Sequence, residues 1–131
     1  MKIDFSKIKT EGILYVLLIQ IEGKDLVKIG VTSRGIADRV LEITESVWIK
    51  YRYFPYVYPK RFRKTDGYLG KEKVLHKYFK EYKYKTEFKF GGSTECFSAP
   101  LDKVVAAYEH LIEHGNLDEY KEIVDERTKE V

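Results

Sequence analysis

A carboxylate and an imidazole at helical spacing are the first residues that suggest chemistry. Glu72 and His76 are four residues apart in a segment whose apolar positions repeat at helical spacing, so both side chains share one helix face. Carboxylate oxygens are the ligands that Mg²⁺ prefers, and a neighbouring imidazole can relay a proton. The alternative is a surface pair near the start of a helix, where glutamate is favoured.

Two polar residues interrupt segments that are otherwise apolar. Tyr15 lies in the apolar run 13–21, where a tyrosine is most often a core residue with its hydroxyl at the edge. Lys28 lies in the apolar segment 27–31, so it is either an ordinary outward-facing residue or a site residue. A tyrosine with a pKa near ~10 is a poor base unless a cation lies beside it. Lys28 on an adjacent strand would be that cation, or the base itself.

A guanidinium follows these residues in the sequence. Arg39 offers a planar fork of donors that suits a phosphate, and its charge is permanent. Glu42 and Glu45 lie along the same predicted helix, so a routine solvated ion pair is the alternative interpretation of Arg39.

The centre of the chain is basic. Residues 50–64 contain six cations and no anion, and we expect these cations to contact a polyanion such as nucleic acid. They are Lys50, Arg52, Lys60, Arg61, Arg63 and Lys64. Six aromatic residues are interleaved with them, which suits stacking on bases or sugars. A strand with its tyrosines packed inside and its cations outside explains the rings at least as well. The segment after Gly115 is acidic.

The composition is that of one globular domain. A chain of 131 residues with 44% hydrophobic residues can bury a single core without a disulfide or a structural metal. The single cysteine, Cys96, excludes an intrachain disulfide. No apolar run approaches the roughly twenty residues that cross a bilayer, and residues 1–8 lack a signal-peptide pattern. We therefore expect a cytoplasmic protein without membrane contact.

The elements that position these residues follow from periodicity and turn residues. The sequence predicts three strands, which cover 13–21, 26–31 and 51–58. It predicts four helices, which cover 36–43, 71–82, 101–114 and 117–127. Thr32 or Ser33 is the expected N-cap of the first helix, and Pro59 is expected to end the third strand. Residues 60–70 are expected to form a loop, and residues 86–90 a short extended piece. The fold class is α+β, with a small, mainly antiparallel three-stranded sheet.

In this order, the candidate residues resemble the motifs of the GIY-YIG nuclease superfamily. Gly12-Ile13-Leu14-Tyr15 resembles the first motif and Lys28-Ile29-Gly30 the second. The E-x-x-x-H segment 72–76 and the acidic–aromatic segment 95–97 are similar to a phage-borne branch of that superfamily. The literal first motif is altered by Leu14, and the late asparagine of many members has no clear counterpart.

The resemblance implies a role for each candidate residue. Tyr15 would orient or deprotonate the attacking water, and Arg39 would hold the scissile phosphate. Glu72 would bind one divalent metal, Mg²⁺ or Mn²⁺, with His76 as its companion one helical turn later. Lys28 occupies the position of the second motif's tyrosine, where lysine also occurs in the superfamily.

The resemblance also implies the domain layout. It predicts a single domain over 1–131, with a β-β-α-β-α core at about 12–97 and a C-terminal helical extension at about 98–131. The leading hypothesis is a small metal-dependent DNA endonuclease of phage or mobile-element origin. The runner-up is a nucleic-acid-binding module of the same fold with weak or no catalysis, and a third hypothesis is a protein-interaction factor that uses the acidic tail. Binding of RNA, a homodimer that supplies specificity, and the identity of the general base among Tyr15, Lys28 and His76 stay open.

Overall fold

The computed structural model describes residues 11–122, which form an α+β fold. The strands are β1 (Glu11–Ile21), β2 (Lys24–Thr32), β3 (Tyr56–Asp66) and β4 (Cys96–Phe97). The helices are α1 (Ile36–Tyr51), α2 (Tyr68–Tyr78) and α3 (Leu101–His114). The α+β class is confirmed, but the sheet has four strands rather than three. The fourth strand is two residues long, too short for any periodic pattern to indicate it.

The sheet has the strand order β3-β1-β2-β4, and all of its pairings are antiparallel. The central strand β1 pairs with β2 on one side and with β3 on the other. Tyr15 of β1 lies opposite Gly30 of β2 and opposite Phe62 of β3. The predicted hairpin of β1 and β2 is therefore present, and its register brings the two sequence motifs side by side.

Alternate residues of β1 belong to two separate cores. Leu14 and Val16 pack with Leu75 of α2 and with the apolar stripe of α3. Leu17 lies on the other face and packs with Ile43 of α1. Burying one such aliphatic side chain stabilises the fold by roughly 1.5–3 kcal/mol. The sheet is thus sandwiched between α1 and the pair α2 and α3, which explains why β1 is apolar on both faces.

The third predicted strand is displaced along the chain. Helix α1 continues to Tyr51 because Val47 extends its buried stripe, and β3 begins only at Tyr56. It then runs through Pro59 and ends at Asp66, so the predicted loop over 60–70 is wrong for most of its length. Proline is tolerated because β3 is an edge strand, and a register shift opposite Val16 and Leu17 interrupts the ladder there. Exposure of almost the whole strand removed the alternation that would have indicated it.

The helix boundaries differ from expectation in physically simple ways. Helix α2 ends at Tyr78, and the chain continues as a 3₁₀ turn over Lys80–Tyr82. The N-cap of α1 is Gly35 rather than Thr32 or Ser33, because the Thr32 hydroxyl instead accepts a hydrogen bond from the backbone N–H two residues later. Helix α3 ends where predicted.

Two elements predicted in the C-terminal half of the chain, an extended piece and a fourth helix, are absent from the described residues. No strand forms over 86–90, and the extended segment lies further along the chain, at β4. Residues 117–122 are not helical, and the remainder of the predicted helix over 117–127 lies outside the described residues. Within 11–122, no helix is long and apolar enough to cross a membrane.

Candidate active site

Three of the predicted site residues meet at the hydroxyl of Tyr15. Lys28 Nζ donates a hydrogen bond to Tyr15 Oη at 3.0 Å, and Arg39 Nε donates another at 3.1 Å. Tyr15 and Lys28 lie on the α1 face of the sheet, and Arg39 reaches them from α1. The side chains of Tyr15 and Lys28 are completely buried, whereas that of Arg39 is 23% exposed. Because the oxygen accepts from two cations, its own O–H is left to donate.

The buried ammonium of Lys28 is compensated by Glu95. The Glu95 carboxylate forms an ion pair with Lys28 Nζ, and its side chain is 29% exposed. The pairing of β4 with β2 sets Cys96 opposite Lys28, which brings the preceding Glu95 to the ammonium. From the sequence, Glu95 of the acidic–aromatic segment is either a site residue or a carboxylate at the end of a strand. The tertiary contact makes it the charge partner that a buried lysine requires.

Two glycines leave the space that this cluster occupies. A Cβ at position 30 would lie 2.5 Å from Tyr15 Cζ and 2.9 Å from Lys28 Nζ. A Cβ at position 92 would lie 2.8 Å from Lys28 Nζ, and Gly92 has a φ of +88°. Glycine is therefore required at position 30 of the K-I-G segment for a steric reason, because a Cβ there would collide with the phenol of Tyr15.

Helix α2 brings His76 to the edge of β2 from the opposite face of the sheet. His76 Nε2 lies 2.7 Å from the carbonyl oxygen of Ile29, and the imidazole packs edge-on against Phe97 with ring centroids 5.2 Å apart. A carbonyl only accepts hydrogen bonds, so this contact assigns the proton to Nε2. In the neutral ring, Nδ1 then carries the free lone pair.

Glu72 has the electrostatics of an incomplete site. Its Oε2 is buried and has no hydrogen-bond partner among residues 11–122. Burial raises the pKa of Glu72, and the nearby Glu95 carboxylate raises it further, while His76 and Lys28 partly oppose the increase. A divalent cation would supply both the missing partner and the missing positive charge. One carboxylate can hold Mg²⁺, because this ion keeps several of its waters.

The protein offers few further metal ligands near Glu72. No group of three or more His, Cys, Asp or Glu side chains that could hold a metal occurs within the described part of the chain. His76 turns its Nε2 to a carbonyl, and the Glu95 carboxylate is engaged by Lys28. The donor set fits a hydrated Mg²⁺ or Mn²⁺ held by Glu72, and not a cation that needs a full protein cage.

A second polar cluster fixes the loop that leads to Gly92 and Glu95. At the β1–β2 turn, the Glu22 carboxylate accepts hydrogen bonds from the hydroxyls of Tyr51, at 2.7 Å, and Tyr84, at 3.0 Å. It also accepts one from the backbone N–H of Glu87 at 3.2 Å. These bonds lower the pKa of Glu22 although burial opposes the change, and burial with the bond to Glu22 raises the pKa of Tyr51 to about 12. Sequence patterns gave no sign of this contact.

The six predicted nucleic-acid-binding cations lie away from the phenol cluster. Lys50 and Arg52 are at the C-terminal end of α1, and the other four follow β3 on the far side of β1. On β3, Arg61 pairs with Glu109 at 2.7 Å and Lys64 pairs with Glu11 at 3.2 Å. All six are exposed. The aromatic side chains on β3 are also exposed, so the alternative of a strand with its tyrosines packed in the core is wrong for them.

The predicted site residues therefore separate into two groups: the residues around Tyr15 and Glu72, and the six exposed cations near the end of α1 and along β3. Tyr15, Lys28 and Arg39 are joined by hydrogen bonds, and Lys28 also opposes the rise in the pKa of Glu72 that burial and Glu95 cause. Arg39 also pairs with Glu42 at 3.1 Å, so the routine ion pair weighed from the sequence is present together with the contact to the phenol.

Comparison with known proteins identifies one family. The family model described as the T5orf172 domain matches residues 12–112, from β1 into α3. This family is compatible with a phage-type nuclease or DNA-binding domain. Neither the curated proteins nor the solved structures contain a significant match. On the extent of the family match, the chain belongs to the T5orf172 domain family.

Proposed function

We propose that this protein is a small metal-dependent endonuclease that hydrolyses phosphodiester bonds of DNA. The observation that carries the proposal is the pair of hydrogen bonds from Lys28 and Arg39 to the hydroxyl of Tyr15. The unpartnered buried oxygen of Glu72 and the influence of Lys28 on the pKa of that carboxyl support it. Membership of the T5orf172 family and the resemblance to GIY-YIG nucleases support it as well.

Arg39 is suited to hold the scissile phosphate. Its Nε donates to Tyr15 and its Nη1 donates to Glu42, so the plane of the guanidinium is fixed from two sides. Nη2 has no hydrogen-bond acceptor within residues 11–122 and lies beside Gly92, 3.3 Å from the point that a Cβ there would occupy. A fixed guanidinium with a free donor can stabilise the charge that develops on a phosphate oxygen.

Tyr15 is the better candidate than Lys28 for steering the attacking water. Lys28 Nζ already donates to Tyr15 and to Glu95, and its paired ammonium serves as a cation rather than as a base. The Tyr15 oxygen receives both cationic donors and has its O–H to offer to a water. His76 contributes an Nδ1 lone pair, which can take up a proton beside Glu72.

A metal ion completes the chemistry. When bound at Glu72, Mg²⁺ or Mn²⁺ would neutralise charge on the phosphate and lower the pKa of a bound water. Glu72 meets the requirement for an oxygen ligand, and its buried Oε2 has no other partner among residues 11–122.

The second candidate function is a DNA-binding module without efficient cleavage. It is favoured by the complete burial of Tyr15 and Lys28, because a water must reach the phenol before it can be steered. Under this alternative the same cluster serves stability, and the exposed cations of β3 bind DNA.

Nicking of supercoiled plasmid in the presence of Mg²⁺ tests the proposal. Wild type is compared with Glu72→Gln and Arg39→Ala. Glu81→Gln is the matched control, since it makes the same chemical change as Glu72→Gln at an exposed position. We expect a loss of about 100-fold or more for the two site variants, a size usual for removal of one stabilising group from a hydrolytic site. Glu81→Gln should retain wild-type activity.

Two outcomes would contradict the enzyme. Absence of metal-dependent nicking by folded wild type at every protein concentration, with DNA binding intact, would establish the binding module instead. Equal activity of Glu72→Gln and wild type would show that any observed cleavage comes from another site or from a contaminant.

A further inference from the structure

We propose that the outer strand β3 carries a stacking platform for unpaired bases, so that the substrate contains a single-stranded segment. The platform consists of Tyr56, Tyr58 and Lys60. The inference rests on the proposed function for its link to cleavage, but the binding surface stands on separate observations.

The two tyrosine rings are arranged as a flat exposed surface. Tyr56 and Tyr58 are two residues apart on one strand and therefore project from the same face. Their rings are parallel within 3°, with centroids 5.8 Å apart, and they are 63% and 45% exposed. Rings of this size are normally buried, and exposed parallel rings offer π-faces to which a base can add.

The fold leaves this part of the sheet uncovered. Tyr58 lies opposite Leu18 and Tyr56 opposite Gln20, near the β1–β2 turn. The core formed with α2 and α3 covers Leu14 and Val16, at the other end of β1, on the same face. The platform thus lies beside the packed region, and none of the described helices closes over it.

The charge around the rings selects an anionic occupant. Lys60 Nζ lies over the Tyr58 ring, 5.5 Å from its centroid. Lys60 and Arg63 make no ion pair with the described residues, whereas Arg61 and Lys64 are paired with carboxylates. A strand of nucleic acid meets both features at once, because its phosphates match free cations and its bases match rings.

A second copy of this chain fits the same surface poorly. Antiparallel pairing of β3 with itself would set rows of lysine and arginine against one another, and like charges across strands are destabilising. Pro59 also lacks the N–H that a continuous ladder requires. Double-stranded DNA fits the cations but not the rings, since its base faces are already stacked within the helix.

The surface would direct the substrate towards the candidate active site. Phe62, which is 52% exposed, lies further along β3 and directly opposite Tyr15. Phe62 projects from the α1 face together with Tyr15, whereas Tyr56 and Tyr58 project from the opposite face. A strand bound at the platform therefore has to cross the outer edge of β3 to approach the phenol cluster. We infer a DNA substrate with a single-stranded stretch next to the bond that is cut.

The test measures binding without cleavage. Fluorescence anisotropy in EDTA compares a labelled oligothymidylate with a blunt duplex of equal length, for wild type, Tyr56→Ala/Tyr58→Ala and Tyr56→Phe/Tyr58→Phe. Phe54→Ala is the matched control, because this ring is 66% exposed but stacks on Trp48 instead. We expect the double alanine variant to lose about tenfold or more of its affinity for the single strand, the size of lost base stacking. The phenylalanine variant and Phe54→Ala should bind as wild type, and duplex affinity should change less than about twofold.

Several results would overturn the inference. They are unchanged single-strand affinity of the folded alanine variant, an equal loss in Phe54→Ala, or an equal loss for duplex. A concentration-dependent dimer that the alanine substitutions dissociate would assign the rings to a second copy of the chain.

Failure of this inference is distinguishable from failure of the proposed function. If the platform exists and the enzyme does not, single-strand binding still depends on the rings while no variant nicks DNA. If the enzyme exists without the platform, nicking depends on Glu72 while the rings have no effect on either substrate.

Discussion

The regions on the two sides of the central strand β1 handle positive charge in opposite ways. Beside β2, the ammonium of Lys28 is fully buried and is shared between Tyr15 and Glu95. On β3, the lysines and arginines are in solvent, and even the paired Arg61 and Glu109 are 46% and 57% exposed. Water solvates the second group at no structural cost, whereas the first group depends on each of its protein partners.

The difference indicates what each region is for. A buried cation beside a phenol is costly, and such arrangements are typical of sites that bind or transform charge. An exposed row of cations can contact the phosphates of many different nucleic acids, and it contributes affinity without requiring a precise arrangement of atoms. Substitutions should therefore act on folding and chemistry around β2, and on binding and its salt dependence along the edge strand β3.

The largest effect is expected from removing the buried cation. Lys28→Met should lower the free energy of unfolding by about 3 kcal/mol, because Glu95 and Tyr15 lose their shared partner. Urea denaturation measures this. Arg61→Ala, which breaks the exposed pair with Glu109, should change stability by no more than about 0.5 kcal/mol. Similar losses of stability in both variants would abolish the contrast between the β2 and β3 regions.

The next effect concerns the glycine that gives Lys28 its space. Gly92→Ala should destabilise the fold by about 2 kcal/mol, because its Cβ would meet Lys28 and its backbone has a φ of +88°. Gly67→Ala is the matched control, since its φ is +63° but nothing lies within 4 Å of its Cβ. It should cost only the backbone strain, about 1 kcal/mol. Equal thermal unfolding of the two variants would show that the close approach at Gly92 relaxes freely.

A smaller effect, of opposite sign, is expected at Glu72. Its raised pKa means that ionising Glu72 destabilises the folded state. This cost is absent below the pKa of an exposed glutamate, about 4.3, grows as the pH rises from there to the higher folded-state value, and is constant above it. Glu72→Gln should therefore stabilise the protein by about 1 kcal/mol at neutral pH without metal, and the gain should vanish in acid.

The effect of Mg²⁺ on thermal stability provides a second test of the role of Glu72. Mg²⁺ should raise the melting temperature of wild type and leave that of Glu72→Gln unchanged, because only the carboxylate can hold the ion. Stability curves against pH for both proteins, with Glu81→Gln as the exposed control, measure the effect. A stability difference that persists unchanged into acid would remove the electrostatic explanation.

The smallest effect belongs to the exposed edge. Lys60→Ala should reduce the slope of log affinity for single-stranded DNA against log salt by about 0.7, the value of one lost phosphate contact on a single strand. Lys64→Ala should reduce it less, because Lys64 already shares its charge with Glu11 at 3.2 Å. A salt titration of binding for the two variants measures both slopes. Identical slopes would show that the ion pair with Glu11 opens when DNA binds.

Sequence patterns predicted buried elements more accurately than exposed or very short ones. The β1–β2 hairpin and α3 were predicted closely because both are buried on regular faces, where period and turn residues report structure directly. Edge strand β3 and the two-residue β4 were misjudged, because an exposed or very short strand has no hydrophobic period. Pro59 was taken as a terminator because its tolerance depends on lying at an edge, which is a property of the sheet.

For the candidate site, the residue types and spacing were enough to single out Tyr15, Lys28, Arg39 and the pair Glu72 and His76. Their order in the chain carries the resemblance to a nuclease, so no contact had to be known. The sequence by itself also determined the α+β class, because the apolar periods of its strands and helices are local properties.

Only the tertiary structure decided which charges meet. The two cationic donors on the Tyr15 hydroxyl and the partnership of Lys28 with Glu95 join segments far apart in the chain. The steric role of Gly92 and the anchoring of its loop by Glu22 arise in the same way. The physical reason is that hydrogen bonds and buried ion pairs depend on distances of a few ångströms in space, and sequence spacing does not fix such distances between separate elements.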